Sequence, residues 1–91
     1  MTETNTRAMI FPTIHLNGTS KQQLLDDYCD VSHALNAAME KMIENGPNGR
    51  DYYPQGDQAF QQAVKEHHDR IEQIHRVRLE IETIAEHIAD A

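Results

Sequence analysis

Nine consecutive residues, Asn48-Gly49-Arg50-Asp51-Tyr52-Tyr53-Pro54-Gln55-Gly56, hold more chemistry than a connection between helices requires. Such a link needs a few polar residues with Gly or Pro. This one adds a guanidinium, two adjacent phenols and an amide. Arg50 presents a planar fork suited to phosphate or carboxylate. Tyr52 and Tyr53 offer stacking faces for a base and hydroxyls for hydrogen bonds. Gln55 supplies an amide, and Gly49 and Gly56 let backbone N–H groups approach a ligand. The competing reading is structural: Arg50 pairs with Asp51 or a helix end, and the tyrosines seal the tip of a hairpin.

A second segment, His15-Leu16-Asn17-Gly18-Thr19-Ser20-Lys21, delivers small polar groups and a lysine to the start of a helix. Unpaired N–H groups and the positive dipole end make such a start receptive to an anion. The plain alternative is a capped helix and nothing more. A third feature is the cluster Lys65, His67, His68, Arg70, His75, Arg76 and Arg78. Its segment, residues 65–78, carries four cations against three carboxylates, whereas residues 79–91 carry four carboxylates and no Lys or Arg. His67 and Arg78 fall where a helical seam calls for apolar residues. Polar seam residues fix register or line a pocket, and register is the reading favoured here.

Metal and nucleophile chemistry find less support. Glu72-x-x-His75 and Asp30-x-x-His33 resemble the paired motifs of di-iron bundles, but the heptad turns Asp30 and His33 outward. No metal site and no cofactor is expected. There is no HExxH, GxSxG, P-loop or GxGxxG, so the chain reads as a non-enzyme.

The elements that position these segments are two helices. Ser20-Lys-Gln-Gln23 fits a capping box. From about Lys21 to Asn45, Leu24, Tyr28, Val31, Leu35, Ala38 and Met42 repeat at gaps of four and three, flanked by Leu25 and Met39. Asn45-Gly46-Pro47 stops that helix. A second helix is predicted from an Asp57 N-cap to about Ala89, with Phe60, Val64, His67, Ile71, Ile74, Arg78, Ile81, Ala85 and Ile88 as its seam and Val77 and Ile84 beside it. The pattern is all-α: a long antiparallel hairpin over residues 21–90, with a loop over 46–56, preceded by an arm and turn over residues 1–20. Residues 1–7 are polar and expected to fray. Residues 8–16 are apolar and interrupted by Pro12, which predicts an extended arm, with room for a short strand. The second helix outruns the first by ~13 Å at 1.5 Å per residue. That apolar overhang, Ile81, Ile84, Ala85 and Ile88, needs a cover, which the arm or a neighbouring subunit can provide.

Composition narrows the function. Ninety-one residues make one domain at most, and 38% hydrophobic content with 5% aromatics gives a thin core that oligomerisation would remedy. A net charge of −7 opposes a duplex nucleic-acid binder and a polybasic membrane-surface protein. Cys29, the single cysteine, excludes an intrachain disulfide. No signal peptide or membrane-length apolar run is evident, so a reducing cytoplasmic compartment is expected, and the Asn17-Gly18-Thr19 sequon reads as a turn. The acids Asp26, Asp27, Glu80 and Glu82 are expected on a solvated face.

The stretches Ile14-His-Leu-Asn-Gly-Thr-Ser20 and Asn48-Gly-Arg-Asp-Tyr-Tyr-Pro-Gln-Gly56, with their two-helix spacing, resemble a group of short phage and prophage proteins. The resemblance covers roughly residues 13–90 and implies a phage origin rather than a mechanism. A looser likeness, of architecture without a shared motif, is to small helical phage proteins that form symmetric oligomers. Those proteins soak up cyclic nucleotides made by bacterial defence systems such as CBASS or Thoeris.

Together these readings predict a homo-oligomer in an infected bacterial cytoplasm. It would bind a nucleotide-derived immune signal without chemistry. Arg50 and Lys21 would meet phosphate, and Tyr52 or Tyr53 would stack on a base. Gly49, Gln55, His15, Asn17, Thr19 and Ser20 would complete the hydrogen bonding. The two segments lie ~37 Å apart in one hairpin by the helix rise, so a shared site would have to form between antiparallel subunits. The competing class is a helical protein–protein interaction module: an inhibitor, an adaptor or an acidic mimic of nucleic acid.

Overall fold

The computed structural model describes residues 9–91, so the expected fraying of residues 1–7 and the first residue of the arm lie outside it. Two long helices dominate: α1, Lys21–Glu44, and α2, Asp57–Ala89. Two 3-10 turns, Gly49–Asp51 and Tyr53–Gln55, connect them. Among the described residues there is no strand, and residues 9–15 of the arm carry no regular secondary structure. The hairpin measures 61 × 28 × 17 Å, with a radius of gyration of 18.3 Å. A compact chain of this length would have about 12 Å.

Local chemistry sets the helix ends. Ser20 is extended, and its Oγ accepts from the Gln23 N–H at 3.1 Å. The reciprocal half of the capping box does not form, because the Gln23 amide donates to Asp27 instead. At the far end, the Asn45 backbone N–H and side-chain amide both bond the Lys41 carbonyl. The N-cap of α2 is Gly56 rather than the expected Asp57, which becomes the first helical residue. Gly56 takes φ 101°, ψ 163°, a region essentially reserved for glycine. No other atom crowds the position. Gly56→Ala is therefore expected to cost about 1–3 kcal/mol through backbone strain alone, readable as a lower midpoint in urea unfolding.

Packing follows the predicted seam on α2 and departs from it on α1. Phe60, Val64, His67, Ile71, Ile74, Arg78, Ile81 and Ala85 are half-buried, and Ile88 is fully buried. On α1 the inner face is Leu24, Leu25, Tyr28, Ser32, Leu35, Asn36, Met39 and Met42. Val31 and Ala38, expected in the seam, are exposed, and Ser32 and Met39 take their levels. The helix is rotated so that two polar side chains face α2. The arm reaches the overhang at one point: the Phe11 ring stacks on His87, with centroids 4.4 Å apart and planes 15° apart, while Ile10 and Leu16 stay almost fully exposed. Lys21 Nζ reaches the Ala91 carbonyl at 2.9 Å, tying the start of α1 to the end of α2.

The two polar seam residues bond across the pair, in keeping with a register role. The His67 Nε2 faces the Met42 carbonyl. Arg78 Nη1 donates to Asn36 Oδ1 at 2.6 Å. Its Nε lies 3.4 Å from Glu82 Oε2, an ion-pair distance without hydrogen-bond geometry. Ser32 Oγ donates to the same Glu82 oxygen at 3.2 Å. Glu82 thus belongs to an interhelical polar layer, not to the solvated face expected for it. This layer favours one alignment of the helices over a slipped one. Asn36→Ala removes the acceptor from a half-buried guanidinium and should lower stability by about 1–3 kcal/mol. The double variant Arg78→Leu, Asn36→Leu removes the guanidinium together with its acceptor and should cost less than Asn36→Ala alone. Chemical denaturation of the two variants side by side tests the contrast.

Candidate ligand-binding site

The loop closes on itself before it offers anything to a ligand. Asn48 Oδ1 accepts from the Arg50 N–H at 3.1 Å, and its carbonyl accepts from Asp51. Successive turns then bond Tyr52 N to the Gly49 carbonyl, Gln55 N to the Tyr52 carbonyl and Gly56 N to the Tyr53 carbonyl. With the backbone held this way, the two tyrosines part. Tyr52 turns inward and packs against Phe60, with centroids 6.3 Å apart. Tyr53 turns outward and is 73% exposed. The pair therefore divides the two roles weighed for it: Tyr52 seals the hairpin tip, and Tyr53 presents a free ring.

Between the turns and the first two turns of α2 lies an open cleft of 390 Å³, lined by Gly49, Arg50, Tyr53, Gly56, Asp57, Phe60 and Gln61. Gly49 sits on the Phe60 ring, where an added Cβ would lie 3.9 Å away. The Arg50 guanidinium has no ion pair or hydrogen bond among the described residues, so the competing reading, a structural pairing with Asp51 or a helix end, is not seen among them. A cation, a free phenol ring and an apolar floor thus share one cleft, with a carboxylate and an amide on its rim. That set suits a ligand with an anionic group, a flat ring and hydrogen-bonding edges. Gln55 is exposed and does not line the cleft. Phe60, Asp57 and Gln61 were not expected there. Phe60 was legible only as a seam residue, because heptad spacing does not show that a ring at a helix end also floors a cleft.

The helix-start segment lies at the opposite end. Residues 15–18 form a turn, with Gly18 N–H bonded to the His15 carbonyl at 3.1 Å. The imidazole folds over Gly18, where an added Cβ would meet Nε2 at 2.7 Å. Asn17 and Thr19 are exposed, Ser20 caps α1 and Lys21 holds Ala91. One hairpin does not bring this segment to the cleft, since α1 alone separates them by about 36 Å. Asp30, His33 and Glu72 are exposed and His75 is half-buried. No group of three or more His, Cys, Asp or Glu able to hold a metal occurs among the described residues. No helix among them is long and apolar enough to cross a membrane.

No protein-family model, curated protein or solved structure matches the chain.

Proposed function

We propose that the chain is a non-catalytic phage protein that sequesters a nucleotide-derived immune signal of its bacterial host. The ligand would be a cyclic oligonucleotide or an ADP-ribose derivative, held between subunits of a homo-oligomer in the host cytoplasm. One observation carries the reading: an Arg50 guanidinium without a partner among the described residues and an exposed Tyr53 ring share a cleft floored by Phe60. Phosphate meets the guanidinium fork, and a base lies on the phenol. The turn hydrogen bonds fix the loop beforehand, which lowers the ordering cost of binding. Lys21, Ser20, Thr19, Asn17 and His15 of a second subunit would complete the site.

Native mass spectrometry tests this, using the purified protein alone and with a panel of cyclic di- and trinucleotides and ADP-ribose derivatives. The expected result is a discrete oligomer that takes up one ligand in fixed stoichiometry and releases it chemically unchanged on denaturation. A ligand recovered cleaved would make the protein an enzyme. An oligomer that binds none of the panel would turn the reading toward a protein-binding module.

A further inference from the structure

We infer that the cleft reads a guanine base, through the Asp57 carboxylate and the Gln61 amide on its rim. The inference rests on the reading of this cleft as a nucleotide site and adds which base it selects. It starts from a group that a plain phosphate pocket should not contain. Arg50 and Asp57 line the same cleft, one cationic and one anionic. They do not pair with each other, and neither Asp57 nor Gln61 has an ion pair or a side-chain hydrogen bond among the described residues. A bare anion would be attracted by one of these groups and repelled by the other. A carboxylate on the rim instead calls for a ligand that brings N–H or O–H donors to it.

The helix sets the two groups side by side. Asp57 is the first residue of α2 and Gln61 stands four residues on, so both project from one side of the helix, about 6 Å apart along its axis. Phe60 lies between them in sequence and floors the cleft. A base lying on the exposed Tyr53 ring would present its edge to the rim they form. Gly56, also in the lining, has no side chain to obstruct it, and a Cβ there would meet nothing within 4 Å.

The chemistry of the base edges then selects one. A carboxylate has two acceptor oxygens and no donor. Guanine alone among the common bases carries two adjacent donors on its Watson–Crick edge, N1–H and the N2 amino group, which meet both oxygens in parallel. Its O6, next along the edge, accepts from the Gln61 amide. Adenine and cytosine offer one amino group beside a ring-nitrogen acceptor, so the second carboxylate oxygen would face a lone pair. Uracil offers a single N–H between two carbonyls. Each of these leaves repulsion at the rim, and guanine leaves none. An acid in the first turn of a helix is also favoured by the dipole. That role accounts for a carboxylate at Asp57, but it predicts no choice among bases.

Isothermal titration with cyclic di-GMP, cyclic di-IMP and cyclic di-AMP tests the assignment, together with the monophosphates GMP and XMP. Hypoxanthine, the base of the di-IMP probe, keeps N1–H and O6 and lacks the amino group. Wild-type protein should bind cyclic di-GMP at least about tenfold tighter than cyclic di-AMP, with cyclic di-IMP between, since one charge-assisted hydrogen bond is worth a factor of that order. Asp57→Asn replaces one acceptor oxygen by an amino group, which suits the C2 carbonyl of xanthine. It should lower the affinity for GMP and raise that for XMP, reversing their order, with helical circular dichroism unchanged. Gln61→Ala should weaken cyclic di-GMP and cyclic di-IMP equally, because both carry O6, and it keeps the test open if Asp57→Asn fails to fold. Equal or tighter binding of cyclic di-AMP would overturn the guanine assignment and leave the nucleotide site standing. So would an Asp57→Asn variant that weakens every probe alike, the pattern of a carboxylate that holds ribose hydroxyls. Binding of none of the probes would overturn the nucleotide reading itself, and the base assignment with it.

Discussion

Arg50→Ala should weaken binding of the nucleotide ligand by about 10- to 150-fold while leaving helix content and oligomer mass as in the wild type. The range corresponds to losing a charge-assisted hydrogen bond worth about 1.5–3 kcal/mol, at 1.4 kcal/mol per factor of ten. The fold should be indifferent because the guanidinium bonds to nothing among the described residues. Isothermal titration with the ligand found by native mass spectrometry gives the number. The two tyrosines should then separate. Tyr53→Ala removes an exposed stacking face and should cost about 1–3 kcal/mol of binding. Tyr52→Ala removes a ring packed on Phe60 and should act mainly on thermal stability. Equal binding losses for both tyrosines, with melting unchanged, would contradict the division of roles drawn from the loop geometry. An acidic-mimic protein gives the reverse pattern: Arg50→Ala is silent, and charge reversal at Asp26 or Asp27 is damaging.

The second large effect is expected at Ile88, the sole fully buried side chain among the described residues. Ile88→Ala should cost about 2–5 kcal/mol, the usual range for emptying a closed apolar site. For a domain of this size each kcal/mol moves the melting temperature by roughly 4–8 °C. Melting followed at 222 nm should therefore fall by more than about 8 °C, compared at one protein concentration because association shifts the midpoint. Ile88 anchors more than its own contacts. It sits beside the Phe11–His87 stack and the Lys21–Ala91 bond, where arm, α1 and α2 converge. Leu79→Ala, at a site 45% exposed, should stay within about 0.5 kcal/mol of wild type.

The long elements were legible because their signals are local. A hydroxyl cap at Ser20, a stop at Asn45-Gly46-Pro47 and an unbroken four-three rhythm in α2 each act within one or two turns. The rotation of α1 was not legible. Periodicity reports the apolar stripe of a helix, not which neighbour takes each part of it, so Ser32 and Asn36 could not be told from surface residues without Glu82 and Arg78 opposite. The helix start of α2 was misplaced by one residue because Asp57 is a good cap in composition, whereas the cap observed rests on the positive φ of Gly56. At the cleft, Arg50, Gly49 and Tyr53 were identified from residue type. The opposed directions of Tyr52 and Tyr53 depend on the two 3-10 turns, which composition does not specify. Ser20 and Lys21 were read as ligand groups, and in the hairpin both make structural bonds. A second subunit would have to exchange or share them.

The slender outline of the hairpin has a hydrodynamic consequence. Its radius of gyration, 18.3 Å, is that of a compact chain of about 260 residues. A single copy should therefore leave a gel-filtration column somewhat earlier than a globular protein of its own mass. Two copies laid antiparallel face to face would thicken the rod without lengthening it much, so pairing would alter the elution volume far less than it alters the mass. Dissociation of the pair could pass unseen in such a trace, while static light scattering would register it as a twofold fall.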